Sequence, residues 1–311
     1  VNLDKYVCQA VYGYMPSSVH NAIVDARTDD PAKFHVVSDG RYERFQEKII
    51  DRFQDWVRPE VDLLPFPYRY PTMGSEEAIR EIMTYLREVE NADRIYTLRG
   101  EYEGYKAVAG TRGLPTVALD FYELLAAPPG FLFLSNPSAR DGNVLSNTDL
   151  NQLAARHKTI LDLAYLGTAP LDKPIDTSHA YAVLTSFSKP FGMFYYRIGF
   201  AFARTEIPSL WANKKWFKSV PALTAASAVI QHVDRRTLLA DMKRRQTLAC
   251  ATIKDETGVM LTPSDSFLLA HAHPETLAWY DDDLAQHLAE FRRADTLRMC
   301  LTPTFESQRT G

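Results

Sequence analysis

Cysteine is scarce in this chain. Cys8, Cys250 and Cys300 are odd in number and widely spaced over 311 residues. That pattern argues against a disulfide framework or a zinc site and suits a reducing compartment. A basic excess is also missing. Lys and Arg total 35 against 39 Asp and Glu, a net charge of -4, so nothing favours nucleic acid as a partner. No apolar run approaches the roughly 20 residues that span a bilayer, so no membrane partner is expected. The first residues, Val1-Asn2-Leu3-Asp4-Lys5, lack the basic and apolar regions of a secretion signal, and the expected location is cytoplasmic. No Gly-x-Gly-x-x-Gly follows an apolar run, which sets aside a dinucleotide-binding domain. His271 and His273 stand two apart without Cys or carboxylate partners at ligand spacing, so no metal is expected. Internal repeats, low-complexity segments and long linkers are absent.

What is present reads as a globular chain, long enough for one large domain and a smaller one. Residues 43–57 carry Phe45, Ile49, Ile50, Phe53 and Val57 at helical spacing, and Pro59 stops the helix. Pro65, Pro67 and Pro71 make an extended, turn-rich segment. A second helix runs over 75–89. Short apolar runs follow at 94–98, 116–119, 131–134, 159–164, 181–186 and 198–203, separated by helix-length or loop segments. Such runs suit strands buried on both faces of a mostly parallel α/β sheet. Beyond Arg204 the expectation is a helix over 222–250 with Leu238, Leu239 and Met242 as its stripe. Strands at 267–270 and 296–301, with a helix near 283–293, complete the tail. The reading is an arm over 1–34, a large α/β domain over 35–205 and a smaller α+β domain over 206–311.

The strongest local signal is Ser186-Phe187-Ser188-Lys189, with Arg197-Ile198-Gly199 eight residues beyond the lysine. Ligands bind at the carboxyl ends of strands in an open α/β sheet. A lysine there can form a Schiff base with a carbonyl cofactor, and two hydroxyls and a guanidinium suit a phosphate. Alone, the lysine is a solvated loop charge. Asp162 lies inside the apolar run Ile160-Leu161-Asp162-Leu163-Ala164-Tyr165. A carboxylate buried there needs a partner, such as a protonated ring nitrogen. At the strand's solvent end it would simply bond a loop. Gly74-Ser75-Glu76 opens a helix, which makes either an anion site or an ordinary N-cap.

In order, Gly74-Ser75-Glu76, Tyr102, Asn136-Pro137, Asp162 with Tyr165, Ser186 to Lys189 and Arg197-Ile198-Gly199 resemble fold-type I pyridoxal 5′-phosphate (PLP) enzymes of the class I/II aminotransferase family. The histidinol-phosphate aminotransferase-like members are the nearest type. The resemblance covers about residues 35–205 well and the tail loosely. It implies that Lys189 is the Schiff-base lysine and the proton-transfer group. Asp162 would pair with the pyridine nitrogen, Tyr165 with the phenolic oxygen, and Tyr102 would stack on the ring. Gly74, Ser75, Glu76, Ser186, Ser188 and Arg197 would surround the phosphate. Arg298 would clamp the substrate carboxylate, although alone it reads as a strand-end surface arginine. A homodimer acting on an amino-acid substrate is implied too.

Three departures qualify that resemblance. The family's Asn-Pro-x-Asn-Pro-Thr-Gly loop is Asn136-Pro137-Ser138-Ala139-Arg140-Asp141-Gly142 here. Ala139 stands where the second asparagine bonds the cofactor's phenolic oxygen, so either Asn136 takes over that bond or it is missing. Phe34-His35 occupies the region of a tyrosine that reaches the partner's phosphate. The chain is also short for the family. The expected function is therefore PLP-dependent transamination of an α-amino acid. A cyclase, a lyase or an oxidase of amino-acid or natural-product metabolism is the alternative, and a non-catalytic PLP-binding sensor is a more distant one. Tyr12, Tyr14, His20 and Asp25 are candidates for the substrate side.

Overall fold

A computed structural model of the chain describes residues 2–26, 40–215 and 219–307. Its larger sheet contains β1 (Tyr68–Thr72), β2 (Ile95–Leu98), β3 (Thr116–Leu119), β4 (Phe131–Ser135), β5 (Lys158–Leu163), β6 (Ala182–Ser186) and β7 (Gly199–Ala203), in the order β1-β7-β6-β5-β4-β2-β3. Strands β2 to β6 are parallel, and β7 runs antiparallel to both of its neighbours. The mostly parallel α/β sheet is thus as expected. The Pro-rich segment before residue 72 holds an unanticipated strand. Edge strand β1 pairs only with β7, a position that tolerates the missing N–H of Pro71.

Helices α1 (Ser17–Val24), α2 (Arg41–Val57), α3 (Gly74–Glu88), α4 (Glu103–Gly110), α5 (Phe121–Ala126) and α6 (Asn147–Arg156) come before β5 or between the strands. Helices α7 (Trp211–Lys215), α8 (Val220–His232), α9 (Arg235–Thr257), α10 (Asp282–Ala289) and α11 (Thr302–Ser307) follow β7. The continuous apolar runs are explained by burial on both faces. Phe133 joins Ile79, Ile82 and Tyr105 of α3 and α4. Its neighbours Leu132 and Leu134 face the other way, into a core shared with Phe53, Leu153 and Val229. Side chains that alternate between two covered faces must all be apolar. Phe53 of α2 anchors that second core, with ring centroids 5.3 Å from Phe187 and 5.0 Å from Phe200.

The expected helix over 222–250 is two helices. Asp234 accepts a hydrogen bond from the N–H of Thr237 at 2.8 Å and so restarts the chain as an N-cap. Helix α8 and the first half of α9 pack in the core under the larger sheet, whereas Ala249 and Ile253 further along α9 belong to a third core. That third core surrounds a small antiparallel sheet, β10-β11-β9-β8, made of β8 (Thr262–Pro263), β9 (Leu269–Ala272), β10 (Arg292–Arg293) and β11 (Thr296–Cys300). Residues Leu3, Val7 and Tyr14 pack into it as well. By packing, then, residues 220–242 go with the larger sheet and the first residues with the smaller one. A division at 34 and 205 would separate them otherwise.

Candidate active site

The carboxyl ends of the parallel strands converge on a cavity of about 390 Å³. Asp162 is on β5, Ser135 ends β4, Ser186 ends β6, and Tyr102 follows β2. Their side chains share the wall with Lys189 from the β6–β7 loop and Arg298 from β11.

Lys189 is largely buried, and that burial pushes its ammonium down to about 8. Its Nζ donates to the carbonyl oxygen of Val11. This segment, residues 9–12, forms part of the wall, and it comes close to the lysine loop because Gly13 has no Cβ. A methyl group there would collide with the carbonyl oxygen of Ser188.

Asp162 is buried at the cavity floor. Its Oδ2 accepts the hydroxyl of Tyr105 at 3.0 Å and its Oδ1 the N–H of Ala164 at 3.0 Å. Burial pushes its carboxyl up to about 6, against the opposing hydrogen bond from Tyr105. Behind it lies a second buried acid, Glu101, which accepts the N–H of Ser135 at 3.1 Å and its hydroxyl at 2.6 Å. Burial pushes Glu101 up to about 7. Tyr165 lines the cavity beside Asp162, its hydroxyl held protonated by burial. Tyr102 is half exposed above the floor, edge-on to Tyr105 at 5.5 Å.

On another side Ser75, Glu76, Ser186, Ser188 and Arg197 line the wall together. Arg197 sits in the left-handed region at φ 49° and donates from Nη2 to the carbonyl of Met73 at 3.0 Å. Gly74, at φ +74°, is not itself in the wall. A Cβ there would stand 3.2 Å from Arg197 Nη2, so glycine lets the guanidinium lie against the start of α3. The Oγ of Ser188 is buried without a hydrogen-bond partner.

Arg298 donates from Nη1 to the carbonyl of Ala139 at 2.9 Å and from Nη2 to that of Gln9 at 2.6 Å, while its Nε has no partner. It is buried rather than a surface arginine. Asn136 does not reach the wall. Its Oδ1 accepts the N–H of Leu145 at 3.0 Å, and its Nδ2 is buried without a partner. Of the four N-terminal candidates only Tyr12 lines the cavity. Tyr14 is buried against Phe305 in the third core, and His20 and Asp25 are exposed on and just beyond α1. His35 lies outside the described residues. Sequence reasoning missed Tyr105, Ser135, Glu101 and the segment 9–11. Tyr105 alone had a local signal, standing one helical turn after Tyr102. The fold also pairs Cys8 with Cys300 as antiparallel bridge partners, both free thiols. His271 Nδ1 is spent on Ser264 Oγ at 3.0 Å, and the described residues hold no cluster of three or more metal-ligating side chains. No helix among them is long and apolar enough to cross a membrane.

A family model described as aminotransferase class I and II matches residues 14–290, and the chain belongs to that family. A histidinol-phosphate aminotransferase of Gloeobacter violaceus is 26% identical over 223 residues, 63% of this chain and 60% of that protein. The chain spans less than two thirds of the length of the curated relatives it matches. Among solved structures, MppP soaked with the product 2-ketoarginine superposes with a TM-score of 0.71 at 12% identity, over 97% of both chains. Histidinol-phosphate aminotransferase from Sinorhizobium meliloti in complex with pyridoxal-5'-phosphate gives 0.66 at 18% identity, over 96% of this chain and 87% of that one. The expected family and fold class are borne out.

Proposed function

We propose that this chain is a PLP-dependent enzyme acting on an α-amino acid, and in the first place an aminotransferase. The observation that carries the reading is the placing of Lys189 and Asp162 in one cavity wall with Arg197 and Ser188. The residues fit the cofactor. Burial pushes the Asp162 carboxyl up although the charge of Lys189 draws it down, and a protonated ring nitrogen would give it a directly bonded cation. A buried serine hydroxyl lacks an acceptor, which a phosphate provides.

Bound by its aldehyde carbon, PLP supplies an electron sink for negative charge at the substrate's α-carbon. The remaining work belongs to the protein. Lys189 would hold the cofactor through Nζ and, once freed by the incoming amino acid, would take the proton from the substrate's α-carbon and deliver it to the carbon that had carried the aldehyde. An amine lowered to about 8 is a usable base near neutrality. Asp162 keeps a proton on the ring nitrogen. Tyr165 bonds the phenolic oxygen, and Tyr102 covers the ring face. Ser75, Ser186, Ser188 and Arg197 would hold the phosphate at the start of α3, with Glu76 at its edge and Gly74 leaving room for the guanidinium. Arg298 receives the substrate carboxylate.

One observation favours a second outcome, a cyclase, lyase or oxidase. Ala139 in the wall brings no side-chain donor to the phenolic oxygen. A keto acid released with aminated cofactor supports transamination, and ammonia or a cyclic product supports the alternative. The protein works as a homodimer in the cytoplasm. Phe194, Tyr195 and Tyr196 are exposed in a row before Arg197, with Phe194 and Arg197 in the wall, which supports a partner surface there, and three free thiols suit a reducing compartment.

The test is the visible spectrum of protein loaded with PLP, for wild type and Lys189→Ala. Wild type is expected to show an absorbance band that borohydride traps on the protein, and the variant none. A wild type that takes up no PLP would sink the proposal.

A further inference from the structure

We propose that Glu101 is a positioning residue for Arg298, acting through Ser135 and the main chain of Ala139. The inference rests on the reading of Arg298 as the group that receives the substrate carboxylate.

The links are single hydrogen bonds in series. Glu101 Oε2 accepts the Ser135 hydroxyl at 2.6 Å, and Oε1 accepts the Ser135 N–H at 3.1 Å. Ser135 Oγ in turn accepts the N–H of Ala139 at 2.6 Å. The carbonyl of Ala139 accepts Arg298 Nη1 at 2.9 Å. Glu101 Oε2 also takes the N–H of Tyr102 at 3.3 Å, so one carboxylate ties the end of β2 to the end of β4.

The loop's own sequence explains why such an anchor is needed. Ala139 has no polar side chain, so at this residue the loop can be held by hydrogen bonds only through the main chain. Both of its main-chain groups are engaged, the N–H toward Glu101 through Ser135 and the carbonyl toward Arg298. Further along, the loop bonds to itself, with Ser138 N–H on the Asn143 carbonyl at 2.8 Å and Gly142 N–H on that of Ser138 at 2.8 Å, and to the segment before β9, with Ser266 N–H on the Gly142 carbonyl at 2.8 Å. The Glu101 chain is the one that reaches the N–H of Ala139 itself. Hydrogen bonds to an ionised carboxylate are roughly twice as strong as neutral ones. A buried carboxylate therefore holds Ser135 more firmly than a neutral side chain in its place. Moving Ala139 would release one of the two carbonyls that orient the guanidinium. The other, from Gln9, sits on the N-terminal segment.

The probe pair for the test is aminooxyacetate and methoxyamine. Both displace Lys189 from the aldehyde carbon of bound PLP, forming an oxime and freeing the lysine amine, and only the first carries a carboxylate. Rates are read from the cofactor's absorbance in the PLP-loaded protein, well above pH 7 so that Glu101 is ionised. The variants are Arg298→Ala, Glu101→Gln, Glu101→Ala and Ser135→Ala. Wild type is expected to prefer aminooxyacetate, and Arg298→Ala to lose that preference. The Glu101 and Ser135 variants are expected to lower it about tenfold while the methoxyamine rate holds. Ser135→Ala leaves the carboxylate and Tyr102 in place, so it keeps the test decisive if the Glu101 variants fold poorly. The proposal is overturned if those variants keep the wild-type preference, or if they slow both reagents equally. It is also overturned if Arg298→Ala changes nothing. Wild type that binds no PLP would instead defeat the cofactor reading on which the inference stands.

Discussion

At Lys189 the fold keeps an ammonium group out of water with one carbonyl as its hydrogen-bond acceptor. The folded value near 8 lies below the ordinary 10.5, so between those limits the folded chain binds fewer protons than the unfolded one. Stability of the cofactor-free chain from this group therefore rises with pH across that window, and the penalty is fully present below it. Lys189→Met removes the penalty. We expect that variant, free of cofactor, to be more stable at pH 7 by about 1–3 kcal/mol. The slope contributed between pH 8 and 10.5 should disappear in urea unfolding run at several pH values. A less stable variant at pH 7 would contradict the burial of the charge. Asp162 and Glu101 act in the opposite sense. Their raised carboxyls favour the folded state least once pH has passed about 6 and about 7.

Among the elements, α9 is joined to the larger sheet by a buried ion pair. Arg235, in its first turn, meets Glu60, stacks over Trp56 at 4.3 Å and donates to the Trp56 carbonyl. Glu60 also accepts the N–H of Gly167 at 2.9 Å, in the loop after β5. Removing one partner leaves the other charge buried, so Arg235→Ala is expected to destabilise the chain by about 3–5 kcal/mol. Urea unfolding checks this, and a loss below about 1 kcal/mol would show that the pair is solvated. The double variant Glu60→Gln with Arg235→Met should recover most of the loss, since no lone charge remains.

For the molecule as a whole, a cofactor that binds only the folded state couples site to stability. PLP at a hundredfold excess over its dissociation constant stabilises by about 2.7 kcal/mol, which raises Tm by several degrees in a chain of this size. Differential scanning fluorimetry with and without PLP is expected to show that rise in wild type and a smaller one in Arg197→Ala. An unchanged Tm in wild type would mean that the cavity does not hold the cofactor.

The sequence alone determined the layout of this protein and the chemistry on its strand ends. Buried parallel strands must be apolar throughout, so their runs stood out, and each expected strand of the larger sheet lies within a residue or so of its place. The Lys189 and Arg197 pair was legible because both lie on one short loop between β6 and β7. Local signals also misled. Pro71 hid β1 because an edge strand was not foreseen, and the cap at Asp234 was read through as helix. What only the tertiary structure decided is which distant residues complete the wall. Ser135 lies 34 positions from Glu101, and Ala139 lies 159 from Arg298. The segment at 9–12 and the pairing of Cys8 with Cys300 belong to the same class. Such contacts have no period along the chain, because they arise where one loop end happens to meet another. They exist only once the sheets are packed.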